Sequence, residues 1–133
     1  MLANAAVSDT GAVLIRCLLV DDNESYTETA RRVLDQGGVT VTGTASNIAE
    51  ALLRASELRP DVVLIDIVLG SENGFDLARR LAGDDASGLA VIMISSGAED
   101  DYADLVADSP ALGFLPKAEL SADGIRQIFG TIP

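Results

Sequence analysis

Short apolar runs rich in β-branched residues alternate along this chain with segments of helical periodicity, and this alternation constrains the fold more than any other feature. The clearest run, Val13–Val20 (VLIRCLLV), is almost continuously apolar and ends abruptly at Asp21 and Asp22. Such uninterrupted runs are typical of strands buried on both faces of a parallel sheet. Further strands are predicted over residues 39–44, 61–67, 89–94 and 111–115.

Segments with helical spacing follow each of these runs, so that strands and helices alternate five times. The helices are predicted over residues 23–36, 46–58, 74–82, 98–107 and 121–129. In the first of them, the helical period places Tyr26, Ala30, Val33 and Leu34 on one side, which we expect to face inward. Because the connections are short, each strand must return parallel to the previous one through a right-handed crossover. The pattern therefore predicts an α/β fold, a doubly wound open sheet of five parallel strands with five helices on its two faces.

The composition excludes several classes of function. The 133 residues include no His and a single Cys, Cys17, which excludes Cys/His zinc sites, Ser-His-Asp triads, Cys-His nucleophiles and disulfide scaffolds. A formal net charge of −12 argues against binding of nucleic acid by this chain or attachment to anionic membranes. No apolar run approaches the length of a bilayer span, and the first 12 residues do not resemble a signal peptide, so we expect a cytoplasmic location.

Polar residues fall where the predicted strands end, which is the edge of an open parallel sheet that carries function. Asp21 and Asp22 end the first strand, Asp66 the third and Ser95 the fourth, and Lys117, the only Lys, follows the fifth. Clustered carboxylates repel one another unless a cation lies among them, and their oxygens suit Mg²⁺. A carboxylate beside Mg²⁺ can attack a phosphoryl group whose charge the metal, the ammonium, the hydroxyl and backbone amides share. The sequence therefore predicts phosphoryl transfer onto an Asp.

Each of these residues, taken alone, also has a purely structural interpretation. Asp22 could cap the helix that follows it, Ser95 could be a turn residue, and Lys117 could be a solvated loop charge. A carboxylate at the end of a buried strand, such as Asp66, is harder to explain in this way. Their convergence on one edge of one sheet favours a functional site.

Over residues 13–129 the sequence resembles the receiver domain of bacterial two-component response regulators. The matching segments are LLVDDNES, DVVLIDIVLGSENGFDLARRL, VIMISSG and GFLPK. The resemblance implies a sheet of strand order 2-1-3-4-5 and a receiver domain over residues 13–130, with residues 1–12 as a flexible tail and no effector domain in this chain. It also implies a signalling switch that catalyses its own phosphoryl transfer and is not a turnover enzyme.

The resemblance assigns the phosphoacceptor and the metal ligands. Asp66 matches the residue that takes a phosphoryl group from a histidine kinase or a His-phosphotransfer protein. Asp21 and Asp22 match the acidic pair that holds Mg²⁺ (or Mn²⁺), with Asp66 and the backbone carbonyl of Val68 as further ligands. The absence of His agrees with a donor imidazole that belongs to a partner.

The resemblance also assigns the switch. Ser95 matches the hydroxyl that turns toward the phosphate, Lys117 matches the lysine that pairs with it, and Phe114 matches the aromatic residue that repacks. In the family, this movement shifts a two-state equilibrium displayed on the fourth helix, the fifth strand and the fifth helix. The positions that tune self-dephosphorylation are Val68 and Gly97, and neither has a polar side chain that could orient water, so we expect slow self-dephosphorylation.

The presumed output surface is strongly acidic. Residues 81–116 contain seven acidic residues and no basic one. Two interpretations are open: a solvated helix face, or an electronegative surface that seeks a basic partner. A homodimer through the fourth helix, fifth strand and fifth helix is also open, although the acidic face would oppose it. The chain could be a stand-alone receiver or part of a longer, DNA-binding regulator.

Three other functions were weighed. A receiver-like interaction module that is never phosphorylated would not need the complete set of site residues. A phosphatase of the haloacid-dehalogenase type needs a second Asp two residues after its nucleophile, where Val68 stands. A flavodoxin-like cofactor binder needs a Ser, Thr or Gly loop after the first strand, where this chain has Asp-Asp-Asn-Glu.

Overall fold

The computed structural model describes most of the chain, with backbone alone at positions 6, 7, 13 and 14; the described residues are 6–7, 13–83, 89–97 and 101–130. The strands are β1 (Ala6–Val7), β2 (Val13–Val20), β3 (Val39–Ala45), β4 (Val62–Asp66), β5 (Val68–Leu69), β6 (Glu72–Asn73), β7 (Ala90–Ser95) and β8 (Gly113–Pro116). In this part of the chain the α-helices are α1 (Glu24–Gln36), α2 (Ile48–Leu58), α3 (Gly74–Ala82), α4 (Ala103–Ala107) and α5 (Ala122–Phe129).

Five parallel strands form the main sheet in the order β3-β2-β4-β7-β8. This confirms the predicted order 2-1-3-4-5, because β2, β3, β4, β7 and β8 are the five strands expected from the sequence. The two-residue strand β1 pairs antiparallel with the start of β2. Residues 1–5 and 8–12 lie outside the described residues, so the flexible tail there stays a prediction.

Polar side chains fix where the helices begin. Asn23 caps α1 by accepting the Tyr26 N–H, and Asn47 caps α2 in the same way. Ser121 caps α5. Gly37 follows the last residue of α1, as expected for a glycine just past a helix end.

Two elements differ from the sequence-based expectation. The fourth helix was predicted over residues 98–107, but α4 begins at Ala103, and residues 98–100 lie outside the described part. The loop after the third main strand is a tight hairpin in which β5 pairs with β6 through Gly70 and Ser71. Gly70 has a positive φ of 60°, which suits a glycine at the first central position of a two-residue hairpin turn.

Apolar side chains bury both faces of the sheet. One core cluster lies against α2 and α3, and a second lies against α1 and α5. Every residue of β4 is buried. Cys17, in the interior strand β2, is fully buried. This burial raises the pKa of its thiol to about 12; the nearby charge of Asp35 adds to the increase and that of Arg31 opposes it. Val33 was expected on the inner side of α1, but it is 42% exposed.

Among the described residues, no helix combines the length and the apolar character needed to cross a bilayer.

Candidate functional site

The end of β2 presents two carboxylates with different surroundings. Asp21 is buried, and its Oδ1 accepts the Asn23 N–H at 2.8 Å. Asp22 is exposed. Because Asn23 caps α1, the helix-cap interpretation of Asp22 is wrong. The side chain of Asp22 therefore carries no part in starting the helix.

The end of β4 holds Asp66 in a constrained position. The side chain is buried, and its Oδ1 accepts the Val68 N–H at 3.1 Å. Helix α3 begins directly against this strand end, because the Gly74 N–H donates to the Ile67 carbonyl oxygen at 2.8 Å. A Cβ at position 74 would lie 2.1 Å from the carbonyl oxygen of Asp66, so only glycine permits this approach.

The three carboxylates converge. Oxygen atoms of Asp21, Asp22 and Asp66 all lie within 4.8 Å of one another. Oδ2 of Asp21 is fully buried, and its recorded partner among the described residues is the Lys117 ammonium. Burial is the main cause that raises the pKa of Asp66; Lys117 and the Val68 N–H oppose it, and the charge of Asp21 adds to it. Three carboxylates with oxygens this close carry more negative charge than the single Lys117 ammonium balances, and such an all-oxygen cluster fits a divalent cation such as Mg²⁺.

Lys117 joins two of these carboxylates. Its Nζ lies 2.6 Å from Oδ2 of Asp21 and 2.9 Å from Oδ2 of Asp66, and its side chain is 15% exposed. Burial alone would lower the pKa of the ammonium, but the hydrogen bonds and charges of the two carboxylates outweigh it and raise the pKa. Lys117 is therefore a fixed positive charge at neutral pH.

Tyr26 belongs to the site and was missed by the sequence analysis, which placed it only on the inner side of α1. The ammonium of Lys117 lies 4.6 Å from the centroid of the Tyr26 ring. The phenol donates a hydrogen bond to the backbone carbonyl oxygen of Lys117 at 3.2 Å. Burial, and then the charges of Asp21 and Asp66, raise the pKa of Tyr26, so the phenol keeps its proton. No sequence signal joins two residues 91 positions apart.

The predicted switch residues lie on the neighbouring strands. Ser95 is buried at the end of β7, where it pairs with Pro116 of β8, and its Oγ accepts the Gly97 N–H at 3.0 Å. Phe114 is buried in the core cluster that lies against α2 and α3. Its ring centroid is 6.4 Å from that of Tyr102, just before α4. Phe114 thus contacts the residue that directly precedes α4.

Val68 and Gly97, the positions predicted to tune self-dephosphorylation, add no polar side chain to the site. The apolar side chain of Val68 is 54% exposed. A Cβ at Gly97 would lie 3.0 Å from Cε2 of Tyr102 and 3.5 Å from Oγ of Ser95, so the Tyr102 ring covers this position. The structure thus brings Asp21, Asp22 and Asp66 together and places Lys117 against Asp21 and Asp66. Val68 contributes its backbone N–H to Asp66.

Comparison with known families decides the classification. A sequence profile of the response regulator receiver domain matches residues 17–128. The chain belongs to the response regulator receiver family. As a member of that family it is a receiver domain of the two-component type, with the flavodoxin-like fold described above.

Individual relatives of this receiver agree. The response regulator GacA of Pseudomonas viridiflava is 30% identical over 116 residues, which are 86% of this chain and 54% of GacA. Protein-glutamate methylesterase/protein-glutamine glutaminase 5 of Myxococcus xanthus is 33% identical over 89% of this chain and 34% of its own length. The signal receiver domain of the putative response regulator NarL from Mycobacterium tuberculosis superposes with a TM-score of 0.76 at 25% identity, covering 88% of this chain and 97% of that domain. The chain thus spans about half or less of these curated relatives.

Proposed function

We propose that this receiver is a phosphorylation-dependent signalling switch that accepts a phosphoryl group on Asp66. One observation carries the proposal: the buried Asp66 carboxylate lies within a cluster of three carboxylates and 2.9 Å from the only Lys of the chain. A carboxylate nucleophile and a fixed cation at this distance are what transfer to an Asp requires.

The donor is a phosphohistidine on a histidine kinase or a His-phosphotransfer protein, since this chain has no His. An oxygen of Asp66 attacks the phosphorus, and an O–P bond forms as the P–N bond breaks. The electron pair of the broken bond stays with the donor imidazole, which takes up a proton from solvent. The product is an aspartyl phosphate, so the domain is a carrier of the phosphoryl group and not a turnover enzyme.

Asp21, Asp22, Asp66 and the backbone carbonyl of Val68 would hold Mg²⁺ or Mn²⁺, which when bound neutralises charge on the carboxylates and on the phosphoryl oxygens. The chain's own contribution is the Lys117 ammonium, which already lies against Asp66 and can pair with a phosphoryl oxygen there. Ser95 is the hydroxyl that would turn toward the phosphoryl group by giving up its bond to the Gly97 N–H.

The signal would be read on the surface formed by α4, β8 and α5, with Phe114 as the buried link. Exposed carboxylates of α4 and its flanks, at Asp101, Asp104 and Asp108, favour a basic partner over a homodimer. This partner would be a separate protein or an effector domain of a longer chain, in the cytoplasm with the kinase. The formal net charge of −12 argues against direct binding of nucleic acid by this domain.

The phosphoryl group should be long-lived. Val68 and Gly97 offer no polar side chain to orient an attacking water, and the Tyr102 ring covers Gly97. We expect slow decay of the phosphorylated form, as followed by intact-protein mass spectrometry after removal of the donor. Decay in minutes or less would contradict this.

The test of the proposed function uses acetyl phosphate and Mg²⁺ with the native chain, Asp66→Asn and, as a matched control, Asp123→Asn on the exposed side of α5. Mass spectrometry should show one added phosphoryl group in the native chain and in Asp123→Asn, and none in Asp66→Asn. No added group in the native chain would favour an unphosphorylated interaction module, and rapid turnover of acetyl phosphate would favour a phosphatase.

A further inference from the structure

Tyr26 is placed at the site by the start of α1. It lies in the first turn of that helix, and its N–H is the one that the capping Asn23 side chain accepts, at 3.1 Å. The residues that precede the helix are the two carboxylates Asp21 and Asp22. The start of α1 therefore fixes the ring of Tyr26 relative to the carboxylates.

Tyr26 contacts Lys117 at both ends of the lysine. Its phenol holds the main chain through the carbonyl oxygen at 3.2 Å, and its ring face meets the ammonium at 4.6 Å. A cation within about 6 Å of a Tyr ring centroid is attracted by the ring quadrupole. A Lys side chain is a flexible four-carbon stem. The residue after Lys117 is Ala118, which does not restrict the backbone as Pro would. The Tyr26 contacts are thus a direct restraint on where the ammonium lies.

The position of the ammonium matters because two carboxylates compete for it. Nζ lies 2.6 Å from Asp21 and 2.9 Å from Asp66, and only the second of these bears the phosphoryl group in the proposed function. Without the ring, only the two carboxylates would hold the ammonium, and it already lies closer to Asp21 than to Asp66. A phosphoryl group arriving at Asp66 would then lack the positive charge next to it.

We propose that Tyr26 is a positioning residue for this phosphorylation, holding the Lys117 ammonium beside Asp66 where the transferred phosphoryl oxygens need it. This rests on the function proposed above. The alternative is a purely structural role in packing, because Tyr26 also packs against the core cluster that lies against α1 and α5.

The chain offers a direct reporter, since Lys117 is its only Lys. Labelling with [¹³Cε]lysine gives one lysine resonance. In the native protein we expect its Hε protons to be shifted upfield by the Tyr26 ring and to show an Overhauser effect to the ring protons. Absence of both would overturn the contact, and with it the inference, whether or not Asp66 is phosphorylated.

Two variants separate the ring from the hydroxyl. Tyr26→Phe keeps the ring, so it should keep the upfield shift and stay within about threefold of the native rate of phosphorylation by acetyl phosphate. Tyr26→Leu loses the ring, so the shift should disappear and the rate should fall about 2- to 30-fold at saturating Mg²⁺, as expected for loss of a cation–π contact.

Phe129→Leu is the matched control, because it removes another partly buried aromatic ring packed against the same core cluster. Urea denaturation places all variants on one scale of stability. A Tyr26→Leu rate equal to the native rate, or an equal fall in Phe129→Leu, would overturn the positioning role. If Tyr26→Leu does not fold, the Overhauser effect in the native protein and the Tyr26→Phe rate still decide. A native chain that takes no phosphoryl group would instead refute the proposed function.

Discussion

Asp66 carries an electrostatic conflict that follows from its position. It is buried and adjacent to a second buried carboxylate, yet it accepts only the Val68 N–H and the Lys117 ammonium as stabilising partners that the described contacts record. Burial is the largest effect and raises its pKa. Folding therefore favours the protonated carboxyl and works against the charged one.

Asp66→Asn should be more stable than the native protein at pH 7 in the absence of divalent cations. In the native protein, the pKa of Asp66 in the folded state lies above the unfolded value of about 3.9. The stability contributed by the protonated Asp66 carboxyl is therefore fully present below that value and is lost as pH rises through the folded-state pKa. The advantage of the variant in free energy of unfolding should thus be larger at pH 7 than at pH 4. Urea denaturation in EDTA at both values measures it, with the exposed Asp123→Asn as control. A variant less stable than the native chain at pH 7 would contradict this.

At this scale the sequence predicted the charged residues at the strand ends and missed Tyr26, which contacts Lys117. Asp21, Asp66 and Lys117 were found because parallel strands deliver their last residues to one edge. Tyr26 was assigned to the inner side of the first helix, because helical periodicity shows which side a residue faces and does not show which residue packs against it. Its contact with Lys117 depends on how the start of α1 approaches the residue after β8, which only the assembled fold determines.

The contact between α3 and β4 is the most restrictive junction between elements. Gly74 begins the helix where the Asp66 carbonyl oxygen occupies the space of a side chain. Gly74→Ala should cost about 1–3 kcal/mol of unfolding free energy, because the strand end or the helix must move. It should also reduce phosphorylation of Asp66 by acetyl phosphate, since the carboxylate moves with the strand.

Gly83→Ala, at the other end of α3, is the control for that substitution. A Cβ there would meet its nearest neighbour at an ordinary 3.5 Å, so its effect should stay below about 1 kcal/mol. Denaturation midpoints compare the two. Equal effects at positions 74 and 83 would show that loss of a glycine, and not contact with Asp66, sets the cost.

The main elements were predictable because burial on two faces leaves a continuous apolar run that few other structures share. Val13–Val20 was predicted and observed with the same bounds. The β5–β6 hairpin was not predicted, since two-residue strands leave no periodicity to detect. The fourth helix was predicted too long because acidic residues are compatible with a helix without requiring one. The observed α4 is short and has no buried residue to anchor it.

The whole molecule carries 21 acidic and 9 basic residues, so a cation at the carboxylate cluster acts against a large background repulsion. MgCl₂ should therefore stabilise the native chain beyond NaCl of equal ionic strength. The gain should approach about 2.7 kcal/mol at roughly 100 times the dissociation constant. Asp22→Asn should keep the response to NaCl and lose most of the specific gain, as measured by urea denaturation. An equal response in both proteins would assign the effect to general screening.

The fully buried Cys17 allows unfolding of this protein to be followed by thiol labelling. Its thiol is the only one in the chain and lies in the interior strand β2, where burial raises its pKa to about 12, so a thiol reagent can reach it only when the sheet separates. The rate of labelling at neutral pH should then follow the global free energy of unfolding. Mg²⁺ with a phosphoryl analogue should slow it in the native chain and leave it unchanged in Asp66→Asn. Labelling as fast as that of a free thiol would contradict this. The labelling rate of this one buried thiol thus measures how often the whole domain unfolds, with and without its phosphoryl group.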